Sequence, residues 1–199
     1  RILINGQVPS DEVRYDPAMK PIAMITQNTK CFADLTAYEF LEIHARARNI
    51  KDRTILEKTI SLANKFTGEK IEQEDRVTVL SGGQTRSLLI ADALLIGAAP
   101  IILLDEIENA GIFKEEVLEI INSTEKIVFF VTQDPVIALL TKKRIIMSNG
   151  AVKRILAQNE SETGAAQNLI ELDKRMGIIR EKLRAGLCIT KDQVNVNFA

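Results

Sequence analysis

The chain has 199 residues, 46% of them hydrophobic, and a formal net charge of −1. That is length and apolar content for one substantial domain, or one and a half small ones, with a real core. The near-neutral charge argues against a nucleic-acid partner, because such binders carry a clear basic excess. Cys31 and Cys188 lie far apart and read as thiols of a reducing compartment rather than as a disulfide scaffold. No apolar run reaches the roughly 18–20 residues a bilayer requires. Leu88–Leu104 is broken by Asp92, Gly97 and Pro100.

In chain order, RILINGQ reads as a strand at Ile2–Ile4 entering an Asn-Gly turn, and it begins on Arg1 rather than Met. More chain is therefore expected before it. Ile22–Thr26 is a second strand. Thr36–Arg48 is predicted helical, with Thr36 as N-cap and Glu39 completing a capping box. Asp52–Phe66 repeats the helical pattern, and Gly68–Asp75 is a polar linker. Ser81–Ala98 is a helix capped by Ser81 and ended by Gly97 and Pro100. Ile101–Leu104 and Ile127–Thr132 are bare aliphatic runs, the pattern of strands buried on both faces. Lys114–Asn122 and Pro135–Leu140 are helical, and Arg144–Ser148 with Ala151–Leu156 forms a hairpin around Asn149-Gly150. Alternating strands and helices give an α/β domain with a mainly parallel sheet. Leu169, Leu172, Met176, Ile179 and Leu183 then repeat at helical spacing. That stripe serves either packing on the domain surface or a partner helix.

Two features carry chemistry. Asp105 and Glu106 follow a buried strand. In a parallel sheet the carboxyl ends of the strands face the ligand crevice. A carboxylate there holds a hard cation such as Mg2+, and its neighbour can orient water; the bland reading is a loop cap. Leu80-Ser81-Gly82-Gly83-Gln84 opens a helix. Its first-turn N–H groups and the positive end of the helix dipole suit a phosphate; the bland reading is a simple N-cap. The intervening helix sets the two features roughly 25 Å apart at about 1.5 Å per residue. One nucleotide does not easily reach both within one chain.

Here the chain resembles the ATP-binding cassette (ABC) ATPases. LSGGQ at Leu80–Gln84 is similar to their signature, and IILLDE at Ile101–Glu106 to their Walker B strand with its glutamate. Gln27 matches the Q-loop glutamine, and LTAYEFLEI at Leu35–Ile43 the stretch after it. Glu108–Ile112, including Gly111, occupies the D-loop, and Gln133 in VTQDP falls where the family has its switch histidine. Arg144–Ile155 looks like the closing hairpin. The resemblance covers roughly Arg1 to Leu156.

The resemblance implies a P-loop NTPase-like, mainly parallel sheet with a helical signature subdomain at about 31–97. The ATPase domain would cover 1–156, without its N-terminal Walker A portion, and a C-terminal helical extension 157–199. It implies a head-to-tail homo- or heterodimer with a second ABC ATPase domain, holding two ATP molecules with Mg2+. In that arrangement Asp105 assists Mg2+ and Glu106 polarises the attacking water. Gln27 contacts the metal or the water. Ser81, Gly82, Gly83 and Gln84 close over the partner's ATP, Gly111 in the D-loop also binds nucleotide, and Gln133 faces the γ-phosphate. Charge stabilisation and positioning carry such phosphoryl transfer.

Three departures stand out. No G-x-x-x-x-G-K-S/T occurs in the 199 residues; its strand is expected beside Ile101–Leu104, so that its loss exposes that strand. Gln133 can donate a hydrogen bond but cannot become a cation, which predicts slower hydrolysis. The lone His44 is expected on its helix surface, not as a substitute. Phe113 stands where the D-loop usually ends in Asp. The leading expectation is an ATP-hydrolysing subunit, cytoplasmic or peripheral at the inner face of a membrane, that docks a membrane-spanning transporter subunit. The alternatives are a soluble ABC ATPase that remodels or assembles a complex, and a non-enzymatic regulatory half.

Overall fold

The computed structural model describes residues 3, 6–110 and 112–190. Ile2 and Ile4 of the first expected strand, Asn5 of its turn, and Gly111 lie outside the described residues. The chain divides into two units, Arg1–Gln133 and Asp134–Ala199.

The first unit runs α1 (Asp11–Tyr15), β1 (Ile22–Ile25), α2 (Ala37–Ala47), α3 (Thr54–Phe66), α4 (Gly82–Leu95), β2 (Ile101–Asp105), α5 (Lys114–Asn122) and β3 (Ile127–Val131). The predicted capping box at Thr36 forms, and Ser81 with Gln84 makes a second one. The Thr36 hydroxyl accepts from the Glu39 N–H at 3.1 Å, while Glu39 accepts from the Thr36 N–H at 2.8 Å. Each box satisfies two N–H groups that a helix start leaves without partners. α3 starts at Thr54, later than the expected Asp52, because the Asp52 carboxylate accepts from the Thr54 N–H and hydroxyl and closes a turn ahead of the helix.

α4 is buried almost all round: Thr85, Ser87, Leu88, Ile90, Ala91, Asp92, Ala93 and Leu94 are all enclosed. It packs chiefly on α3 and also touches β1. Leu41, Leu56, Phe66, Leu88, Ile102 and Leu104 form the core. Each such side chain contributes about 1.5–3 kcal/mol on burial. The linker at Gly68–Asp75 is anchored where Asn64 grips the backbone of Ile71, donating to its carbonyl at 3.0 Å and accepting from its N–H at 2.7 Å.

The three strands are parallel in the order β1-β2-β3. Two expectations are corrected here. β2 already has a hydrogen-bonded neighbour on each side, so no further strand can pair beside Ile101–Leu104; any additional strand would have to join at an outer edge. Nor are β2 and β3 buried on both faces. In register, Ile22, Met24, Ile101, Leu103, Asp105, Ile127, Phe129 and Val131 share one face. Met24 is 61% exposed, Ile127 57% and Val131 61%. The opposite face, with Ile25, Ile102 and Leu104, is the closed one.

The second unit holds α6 (Pro135–Leu140), the hairpin β4 (Lys143–Ser148) and β5 (Ala151–Ala157), and α7 (Glu160–Arg184). Asp134 caps α6, accepting from the Ile137 N–H at 3.0 Å, with Pro135 at the first helical position. Asn149 (φ 51°) and Gly150 (φ 75°) supply the two left-handed residues of the hairpin turn. α7 packs on α6 with Ala166 fully buried, and Arg144 pairs with Glu162. Met176, Ile178 and Leu183 of α7 are exposed.

Candidate functional site

β1, β2 and β3 end together, so Gln27, Asp105, Glu106 and Gln133 all lie at the carboxyl edge of the sheet, where ligands of open parallel sheets bind. The edge of β3 grips the residues after β2 through three successive positions. The Val131 carbonyl accepts from the Glu106 N–H at 2.8 Å. The Thr132 hydroxyl donates to Glu108 Oε1 at 2.6 Å. Gln133 Nε2 donates to Glu106 Oε1 at 3.1 Å. Glu106 also has φ 46°, a left-handed backbone that costs a residue with a Cβ about 1–2 kcal/mol. Such strain persists where surrounding bonds over-determine it and marks candidate sites. The Glu108–Thr132 bond was not legible in the sequence, and Glu108 Oε2 is enclosed without a partner.

Asp105 projects from the open face, in register with Val131. Among the described residues no group of three or more His, Cys, Asp or Glu could hold a metal ion. Magnesium bound through substrate phosphates and water needs only one or two carboxylates. Asp105 can supply one, so the residues fit that mode of binding.

Ser81 caps α4 as its sequence predicts, and Gln84 completes a capping box not anticipated from the sequence. The Ser81 hydroxyl accepts from the Gln84 N–H at 3.3 Å, and Gln84 Oε1 accepts from the Ser81 N–H at 2.9 Å. Gln84 Nε2 donates to the Lys70 carbonyl at 2.9 Å, so both ends of that side chain are engaged. Gly82 is exposed and has open space where a Cβ would sit, whereas Gly83 is buried. The hydroxyl proton of Ser81 and the free N–H groups of the first turn are what a phosphate would meet.

Two connections tie α4 to earlier parts of the chain, one to the turn after β1 and one to α2, and neither has a sequence signal. Arg86 Nη2 donates to the carbonyl of Gln27. His44 Nδ1 lies 2.7 Å from Asp92 Oδ2, and the carboxylate can only accept, so Nδ1 donates. This corrects the expected surface position of His44: its side chain is 30% exposed and that of Asp92 only 9%. Phe40 packs against the His44 ring with centroids 4.3 Å apart. Burial, and then the Asp92 carboxylate, push the Cys31 thiol up. Burial, and then Arg48, hold the Lys126 ammonium down, even though its Nζ donates to the Gly97 carbonyl at 2.6 Å and that of Ala99 at 2.9 Å.

Comparison with known proteins bears on the family and the fold. The family described as "ABC transporter" matches residues 1–109. The ABC transporter ATP-binding protein MJ0121 of Methanocaldococcus jannaschii is 43% identical over 196 residues, which are 98% of this chain and 75% of that protein. The thiamine import ATP-binding protein ThiQ of Brucella suis is 28% identical over 158 residues, 76% of this chain and 64% of that protein. Among solved structures, a post-hydrolysis dimer of the ATP-binding cassette MJ0796 bound to ADP and Pi aligns with a TM-score of 0.61 at 23% identity, covering 77% of this chain and 69% of that one. A second dimeric structure of that cassette gives 0.60 at 24% identity with the same coverages. At such identities the structures speak for the fold, that of an ABC ATPase cassette with its P-loop NTPase-like sheet. The matched family and the identity to MJ0121 together establish that this chain belongs to the ABC transporter family of ATP-binding proteins.

Proposed function

We propose that the chain is the ATP-binding and ATP-hydrolysing part of an ABC system, working as a head-to-tail dimer that couples hydrolysis to transport across a membrane. The observation that carries this reading is Glu106, strained at the end of the central strand and held by Gln133. A carboxylate there can orient water for attack on a γ-phosphate, with positioning and charge stabilisation supplying the catalysis. Asp105 and Gln27 would hold Mg2+, which spreads the charge of the phosphates when bound. The Gln133 amide has two donor hydrogens; one is on Glu106, and the other is free in chemistry to meet the γ-phosphate. Ser81, Gly82 and Gly83 cover the partner's nucleotide, and Gln84 shapes their turn. Gly111 is expected to contact nucleotide as well.

In this reading residues 1–156 are the ATPase portion and 157–199 a helical extension. The phosphate-binding loop comes from outside the 199 residues. Those residues alone, with one sheet face open, then bind ATP poorly and turn over little. Among the described residues no helix is long and apolar enough to cross a membrane; in the transporter reading this part docks a membrane-spanning subunit. The expected location is cytoplasmic, at the inner face of the membrane. A second reading, a non-transport ABC ATPase that remodels or assembles a complex, is favoured by the exposed Met176, Ile178 and Leu183 of α7.

The test is sedimentation of full-length Glu106→Gln protein with and without ATP and Mg2+. Loss of the water-orienting carboxylate should trap ATP and shift the protein to a dimer. A monomer that binds ATP without any shift would overturn the dimeric reading.

A further inference from the structure

Gln27 sits in a closed turn. The Thr29 N–H donates to the Thr26 carbonyl at 3.2 Å, and the Thr26 N–H donates to the Thr29 hydroxyl at 2.9 Å. The same hydroxyl lies 3.0 Å from the Thr26 carbonyl. The turn is therefore stapled from within, and its outward carbonyl, that of Gln27, accepts from Arg86 Nη2. Arg86 lies five residues after Ser81, early in α4. Its other amino group, Nη1, is enclosed without a partner, so Gln27 is the one anchor seen for this guanidinium among the described residues.

We propose that Arg86 is a positioning residue that couples the turn at Gln27 to the glycine-rich opening of α4, so that the two shift together. A cationic donor on a carbonyl is among the stronger hydrogen bonds, and here it is partly shielded from water. α4 is packed on almost every side, so a pull on its first turns moves a rod rather than fraying a helix. The His44–Asp92 pair holds the later half of the same helix. Of the two ties, only Arg86 lies at the end that carries Ser81. Its consequence rests on the ATPase reading above. Gln27 borders the chain's own site, and Ser81 and Gly83 close over the partner's. Arg86 then carries the occupancy of one half-site to the other.

Amide hydrogen exchange and ATP turnover of the full-length protein separate the coupling from its consequence. In Arg86→Ala, exchange at the Thr26 and Thr29 amides should rise roughly tenfold or more without nucleotide, with β2 amides unchanged. Turnover should fall roughly tenfold while KM for ATP stays within about threefold. Arg86→Lys, which keeps the charge and one donor, should restore part of both; if Arg86→Ala also loosens β2, the Lys variant carries the comparison against Arg86→Met. Unchanged Thr26 and Thr29 exchange, or a loosened turn with turnover intact, overturns the proposal. An unmodified protein without turnover sinks the ATPase reading instead and leaves the coupling to be judged by exchange alone.

Discussion

Gln133 donates to Glu106 at 3.1 Å across the carboxyl edge of the sheet, and the Glu106 N–H is held two residues earlier by the Val131 carbonyl. Gln133, which we propose stands where the family has its switch histidine, thus carries an amide that fixes the glutamate's carboxylate. An amide can orient the carboxylate and donate to a phosphate, but it cannot gain a charge. Gln133→Ala should lower turnover by roughly tenfold or more with KM for ATP little changed, whereas Gln133→His should keep or raise it. Steady-state kinetics of the three proteins checks this; equal kcat in all three would remove Gln133 from the site.

The capping box of α4 makes a stability prediction independent of nucleotide. Ser81→Ala removes an acceptor for the Gln84 N–H and should cost about 1 kcal/mol in denaturant unfolding. Gln84→Ala removes bonds to Ser81 and Lys70 and should cost at least as much. A Gln84→Ala protein of unaltered stability but poor ATP affinity would instead make that side chain a direct nucleotide contact.

The His44–Asp92 pair lies between α2 and α4, and Asp92 Oδ1 already has no partner. His44→Ala leaves the carboxylate with neither oxygen paired and should destabilise by about 1–3 kcal/mol. The double variant with Asp92→Ala should lose less than the sum of the singles, with a coupling of about 1 kcal/mol. Simple additivity in the cycle would show the pair to be inert.

The cysteines should react at different rates. Burial and Asp92 raise the Cys31 pKa above its usual value, so its reactive thiolate is scarcer at neutral pH, while Cys188 is exposed. Iodoacetamide at pH 7–8 should modify Cys188 first, and Cys31 should gain rate as pH rises through its raised pKa. Mass spectrometry of partially labelled protein reads this directly; faster labelling of Cys31 contradicts it.

What the sequence made legible was local. Thr36 with Glu39, the Ser81 cap, and the Asn149-Gly150 turn each bond within a few residues, so spacing alone announces them. The acids after β2 were legible because a short aliphatic run ending in charge can do little else in a parallel sheet. Burial was harder. The apolar run of β3 looks the same whether one face is covered or two, and the structure leaves Phe129 and Val131 open. The ties that shape the site were out of reach. Arg86 and Gln27 are 59 residues apart, His44 and Asp92 48, and Thr132 and Glu108 24. No periodicity or cap links residues at such separations; only the packing of α4 and the strand ends brings them together.

The most direct test of the central claim is ATP turnover by the full-length protein and its Glu106→Gln variant under saturating ATP and Mg2+, with ATP binding measured in parallel. The variant should bind ATP as well as the unmodified protein and lose turnover by roughly 10²–10⁴-fold, the range for removal of a positioned acid–base group. Turnover that survives Glu106→Gln, or full-length protein that binds ATP without hydrolysing it, would contradict the assignment of Glu106 as the residue that activates water.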